Sequence, residues 1–174
     1  MTQTEIIETL RVRLSLPGGR HLYGVLGSYD LLSRFAVQLA KAKSVEGNHF
    51  PKAVSVNRGI LDTIPDEEFR ELVANEAKRP EPTAAHVAAA FERFIRSHLV
   101  GQGLVVLKDL ELIFSYHLEL NLLRTLAADQ DRILLLLPGK RERGGVILFP
   151  DSDHGSYTLP TNLIADNNLW ELRN

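Results

Sequence analysis

The chain has 174 residues, 44% of them apolar and 24% charged, with a formal net charge of −2. That suffices for one domain with a sizeable core, and it excludes an overall basic field that would draw in nucleic acid, though not a local basic patch. Cysteine is absent, so disulfides, thiolate metal sites and cysteine nucleophiles are excluded. The first residues, MTQTEIIETLRVRL, lack the apolar core of a signal peptide, and the apolar run Ile133–Leu137 falls far short of a membrane span. No membrane partner is expected, and a cytoplasmic protein is the simplest expectation.

In chain order, residues 4–14 predict a short amphipathic helix capped by Thr2 or Thr4, broken by Leu16-Pro17-Gly18-Gly19. His21–Leu26 predicts a strand. Gly27-Ser28-Tyr29-Asp30 then leads into a helix carrying Leu31, Leu32, Phe35, Leu39 and Ala42, with Ser28 or Asp30 as its cap. Ala53–Val56 predicts a second short strand, followed by Asn57-Arg58-Gly59. Ile64-Pro65-Asp66 opens a helix with Phe69, Leu72 and Val73 on one face. Lys78-Arg79-Pro80-Glu81-Pro82 reads as a break, after which Thr83 caps a long helix whose buried stripe is Val87, Ala90, Phe91, Phe94, Ile95 and Leu99.

Gly101–Gly103 ends that helix, and Leu104–Leu107 predicts a strand. Residues 117–128 predict a helix, Ile133–Leu137 a strand stopped by Pro138-Gly139, and Val146–Phe149 a further strand. One domain over residues 1–174 is expected, with an N-terminal helix in 1–16 and a docking tail in 159–174 held down by Trp170. Strands buried on both faces read as unbroken apolar runs, and here they alternate with helices. This predicts an α/β three-layer sandwich with a mostly parallel sheet, whose ligands would sit at the carboxyl ends of the strands.

Three such ends carry the candidate chemistry: Gly24–Asp30, Lys108–Glu111 and Pro138–Gly145. In a P-loop hydrolase these places hold the phosphate loop, the magnesium-binding acid with its catalytic glutamate, and the polar sensor of the γ-phosphate. The order and spacing suit the additional-strand class of such proteins, an AAA-like core without a lid. Each motif departs from that pattern. A phosphate loop needs G-x-x-x-x-G-K-[ST], because backbone N–H groups wrap the phosphates, a lysine neutralises charge and a hydroxyl holds Mg²⁺. Gly24, Gly27 and Ser28 stand in its place without the lysine, and Asp30 would repel phosphate.

At the second end Lys108 occupies the position of the metal acid. Asp109 or Glu111 is the candidate catalytic carboxylate, and Asp109 the candidate metal ligand. The alternative is a solvated Lys108-Asp109 turn, with Leu110, Leu112 and Ile113 packed below it. Lys140 and Arg141, on the third basic turn, are candidate phosphate contacts or a hairpin tip in water. Basic contacts of that kind position nucleic acid without reading its sequence.

Elsewhere the signals are weaker. The 6 histidines form no HExxH or other close cluster. Asp151, Asp153 and His154 could hold a divalent ion, or simply form a polar turn. Ser28 lacks a G-x-S-x-G setting. Arg58, Lys78, Arg79, Arg93 and Arg96 could make a basic face, but a solvated helix surface suits them as well, and Phe91 and Phe94 lie on an apolar stripe rather than a stacking platform.

Residues 104–140, LVVLKDLELIFSYHLELNLLRTLAADQDRILLLLPGK, resemble the small P-loop-like component F of bacteriophage exclusion (BREX) defence systems. The matching pieces are Leu110-Glu111-Leu112-Ile113-Phe114, the Leu-rich segment Leu118–Ala127, and Leu134–Gly139 with its Pro-Gly end. Asp153-His154-Gly155-Ser156-Tyr157 resembles that family's polar C-terminal segment. The resemblance implies a compact P-loop-like domain that works with larger defence proteins, and with DNA. Without the lysine-bearing loop, the expected role is a non-hydrolysing adaptor or scaffold with no cofactor. The alternatives are an ATPase with atypical motifs that uses ATP and magnesium, and a small nucleic-acid-binding regulator.

Overall fold

The computed structural model describes residues 1–78, 80–99, 103–150 and 155–173. Arg79 of the candidate basic face, Gly101 at the expected helix end, and Asp151, Asp153 and His154 of the candidate ion site lie outside the described residues.

Helix α1 (Gln3–Ser15) starts where Thr2 and Glu5 form a capping box, each side chain accepting the other residue's backbone N–H. The Thr2 hydrogen bonds hold the Glu5 carboxyl below its ordinary pKa. Strand β1 (Leu22–Gly27) runs through a single residue, Ser28, into α2 (Tyr29–Lys41). Strand β2 (Val54–Ser55) is two residues long and passes directly into α3 (Val56–Thr63), a helix the Asn57-Arg58-Gly59 stretch conceals. Then come α4 (Asp66–Asn75) and α5 (Pro80–Leu99).

Helix α5 begins three residues before the expected Thr83 cap. N–H groups in a first turn have no intrahelical acceptor, so Pro80 and Pro82 cost nothing there, and Thr83 is buried inside the helix. Strand β3 (Leu104–Lys108) is followed by two short helices, α6 (Glu111–Ser115) and α7 (Asn121–Leu126), where one helix over 117–128 is expected. The break falls at His117, whose φ of 50° is left-handed, with Leu118 N–H returning to the Ile113 carbonyl. Strand β4 (Arg132–Glu142) does not stop at Pro138-Gly139. Pro138 stands opposite Gly27, the last residue of β1, so its missing N–H falls where the parallel ladder ends. Beyond it the strand continues into a hairpin with β5 (Gly145–Leu148), which pairs β6 (Tyr157–Thr158). A 3₁₀ turn precedes β7 (Leu169–Glu171).

Five strands form a parallel path in the order β2-β3-β4-β1-β7. The strand period of two splits their side chains between faces. Leu22, Leu26, Val105, Leu107, Ile133, Leu135 and Leu137 pack with residues of α3, α5 and α6. Tyr23, Val25, Val106, Leu134, Leu136 and Trp170 pack with Ile6 and Leu10 of α1 and Phe35 and Leu39 of α2. These are the three layers. Among the described residues, no helix is long and apolar enough to cross a membrane.

At the amino edge of the sheet His21 is 3% exposed, and its Nδ1 lies 2.9 Å from the Tyr23 hydroxyl. Burial, reinforced by the Arg132 charge, pushes the His21 pKa down, and burial pushes Tyr23 up. Unfolded, His21 protonates near its ordinary value of about 6.5, while in the fold it stays neutral to lower pH. Its neutral burial is therefore tolerated above that value, and stability is lost as pH falls through it toward the folded pKa. In urea titrations between about pH 7.5 and about pH 5.5, the midpoint of His21→Gln is expected to fall less than that of the wild type. Equal slopes would remove His21 from the acid response.

Candidate functional site

The carboxyl ends of β1, β2 and β3 meet at Glu111. One carboxylate oxygen accepts from the Tyr29 hydroxyl at 2.8 Å, the other from Asn57 Nδ2 at 2.8 Å. The Asn57 side-chain oxygen in turn accepts the Leu112 backbone N–H at 3.0 Å, and Asn57 N–H donates to the Asp109 carbonyl at 2.9 Å. Local structure makes this meeting possible. Ser55 caps α3 and thereby sets Asn57 in its first turn. Asp109 has φ 53°, a left-handed conformation that Asp tolerates, and it turns the chain out of β3 toward α6. Asn57→Ala is expected to cost about 1–3 kcal/mol, because it strands the Leu112 N–H and a carboxylate oxygen half-buried. Chemical denaturation measures this; a change under about 0.5 kcal/mol would mean that water replaces the amide freely.

The candidate residues fall into three groups. Asp109 and Glu111 are at the strand ends, on the same turn. Lys108 Nζ lies 3.3 Å from Asp109 Oδ2. A cation thus already stands at the carboxylate that would take Mg²⁺. Among the described residues no three His, Asp or Glu side chains gather as a metal site. Mg²⁺ needs only one or two carboxylates when phosphates complete its shell, but a lysine on the ligand opposes it. The residues present fit the ion poorly.

The second group is the β1–α2 turn. Ser28 is its only residue outside regular structure; its Oγ accepts the Leu31 N–H at 3.4 Å and its carbonyl the Leu32 N–H at 2.9 Å. No wide nest of inward N–H groups forms, and Ser28, not Asp30, caps the helix. Gly24 is interior to β1, where an added Cβ would lie 2.6 Å from Leu169 Cδ1 and 2.8 Å from Ile164 Cδ1. It serves close packing of the C-terminal segment. Gly27 abuts Leu172.

The third group, Lys140 and Arg141, lies on the hairpin. Lys140 pairs with Glu142 at 2.9 Å. Arg141 reaches back to the C-terminal segment, donating to the Leu169 carbonyl at 2.8 Å and pairing with Asp166 at 3.4 Å. Neither lines the groove that opens beside these strand ends.

That groove has a volume of about 570 Å³. Leu32, Ala36, Val37 and Leu136 give it apolar walls, and Lys41, Lys52 and Lys108 stand around it. Tyr29 and Asn57, which complete the Glu111 clamp, carry no motif in the sequence; an Asn just past a short strand is the single available hint. Compared with family models, curated proteins and solved structures, the chain matches none.

Proposed function

We propose that the chain is a degenerate P-loop-like module of the additional-strand class, a non-hydrolysing component of a bacterial anti-phage defence complex. It acts in the cytoplasm as an adaptor for partner proteins, with DNA as a further contact. The observation that carries this reading is the one-residue connection at Ser28. The sheet order, with the first strand between the fourth and the last parallel strand, suits that class. Where its members hold phosphate, this chain has a closed, side-chain-capped turn; at the metal position it has Lys108.

A second reading is an ATPase with atypical motifs. What favours it is the groove at the carboxyl ends of the strands with lysines around it, beside Asp109 and Glu111. Calorimetric titration with ATP and Mg²⁺, repeated on Glu111→Gln, separates the two. The adaptor predicts no saturable heat up to about millimolar ATP, a free energy near −4 kcal/mol or weaker. Saturation at micromolar ATP, with turnover abolished in Glu111→Gln, would establish the enzyme instead. For DNA, binding that weakens steeply with salt is expected, and no binding at low salt would end that part of the proposal.

A further inference from the structure

Two cavities on the α3–α5 side of the sheet share the walls Arg124, Asn162 and Leu163. The smaller, about 130 Å³, lies at the amino end of β1, the opposite end of that strand from Ser28. The backbone explains its place. Arg20 forms an isolated bridge with Ala128, and the His21 N–H donates to the Ala127 carbonyl at 2.8 Å. Arg20 is thereby set beside the end of α7, whose last turn carries Arg124. Both arginines line the cavity, and no acid does. Neither forms an ion pair among the described residues. Asp166, next to the lining residue Ala165, is taken by Arg141. Two guanidinium groups on one small wall repel each other unless an anion lies between them. Each offers a planar fork of N–H donors that matches phosphate oxygens in pairs. Asn168, half-buried on the same wall, keeps its Oδ1 buried without a partner.

The larger cavity has a volume of about 830 Å³, within the range of small-molecule sites. Its lining differs in kind. His117 and Tyr157 bring two rings edge to face, with centroids 6.3 Å apart. His117 stands there because its left-handed φ separates α6 from α7. Glu119, Asn121, Ser156 and Thr158, all exposed, complete the polar lining. All four accept from hydroxyl groups, and the last three also donate. Glu119 lines this cavity and not the smaller one, so an anion is repelled here and drawn to the arginines.

We propose that the two cavities form one site for a sugar monophosphate. The phosphate sits between Arg20 and Arg124. The sugar lies against His117 and Tyr157, with its hydroxyls toward Glu119, Asn121, Ser156 and Thr158. The ligand is a small molecule that carries one anionic end and one hydroxyl-rich end, as the two linings do. None of these residues belongs to the strand ends that carry the functional reading above, so neither proposal rests on the other.

Calorimetric titration at constant ionic strength tests it, with inorganic phosphate, glucose 6-phosphate, ribose 5-phosphate and adenosine 5′-monophosphate as probes. One of the two sugar phosphates is expected to bind with a Kd below about 1 mM, at least about tenfold tighter than inorganic phosphate. Arg20→Gln and Arg124→Gln should each weaken that binding by about tenfold or more, with the fold retained by circular dichroism. Arg20 is exposed, so its variant keeps the test valid even where Arg124→Gln unfolds the end of α7. Glu119→Ala should weaken the sugar phosphate and leave inorganic phosphate unchanged, because it removes an acceptor of hydroxyls and none of phosphate. No binding of either sugar phosphate up to about 10 mM overturns the proposal. So does binding that both arginine variants leave unchanged, or sugar phosphates no tighter than inorganic phosphate, which leaves an adventitious ion only. Adenosine monophosphate binding at least about tenfold tighter than both sugar phosphates overturns the sugar assignment and makes the ligand a nucleotide.

Discussion

Replacing Trp170 by alanine is expected to destabilise the fold by about 3–5 kcal/mol, a large share of the roughly 5–15 kcal/mol of a typical domain. Trp170 lies in the three-residue edge strand β7, opposite Val25 of β1. Its ring stacks on Tyr23 at a centroid distance of 5.8 Å and is 6% exposed. An edge strand of three residues has few ladder hydrogen bonds to hold it, so the indole is its anchor. The loss also spreads. The N-terminal amine donates to the Glu171 carbonyl at 2.7 Å, and Arg173 N–H to the Met1 carbonyl at 2.9 Å, so the start of α1 is tied to the same strand. Urea unfolding followed by circular dichroism measures the change, since the chain's one tryptophan is the residue removed. Trp170→Phe keeps a ring on Tyr23 and should recover more than half of the loss. A shift under about 1 kcal/mol for the alanine variant would mean that the C-terminal strand is not part of the cooperative unit.

Gly139→Ala is expected to cost about 1–3 kcal/mol or more through overpacking. A Cβ at this position would lie 2.4 Å from the Ile147 carbonyl oxygen and 3.1 Å from Leu148 Cα. Both are backbone atoms of β5, so relief requires the two strands to separate where Gly139 pairs Leu148. That separation would also draw Arg141 away from the Leu169 carbonyl, loosening β7 from the hairpin. Amide hydrogen exchange should show lost protection concentrated in β4 beyond Pro138 and in β5, with the parallel strands less affected. Lys140→Ala, next in the chain but with an exposed side chain and a solvent-exposed pair with Glu142, is the control and should shift the urea midpoint little. Equal stability of Gly139→Ala and wild type would show that the hairpin yields without cost.

The apolar strands were the legible part of this fold. Leu104–Leu107 and Ile133–Leu137 read as doubly buried strands because no polar residue interrupts them, and they pair as neighbours. Trp170 as an anchor was equally readable, through sheer apolar area, while local chemistry narrowed the α2 cap to Ser28 or Asp30 and the structure chose Ser28. Less was readable wherever a distant residue decides the outcome. Phe69 and Val73 have helical spacing, yet they remain 40% and 59% exposed among the described residues. Pro138-Gly139 reads as a stop, but β1 ending opposite Pro138 lets the strand run on.

The candidate site divides along the same line. Glu111 stood out by its place after an apolar run. Its partners did not, because Tyr29 and Asn57 lie 82 and 54 residues away and only the sheet brings them to one carboxylate. By itself the sequence determined the α/β class, the absence of thiol chemistry, the central strands and the lack of a lysine-bearing phosphate loop, since composition, unbroken apolar runs and local turn chemistry act over a few residues. The tertiary structure alone decided that Glu111 joins three strand ends and that Arg141 holds the C-terminal strand. Those arrangements depend on strand order and register, which are set by the packing of the whole sheet.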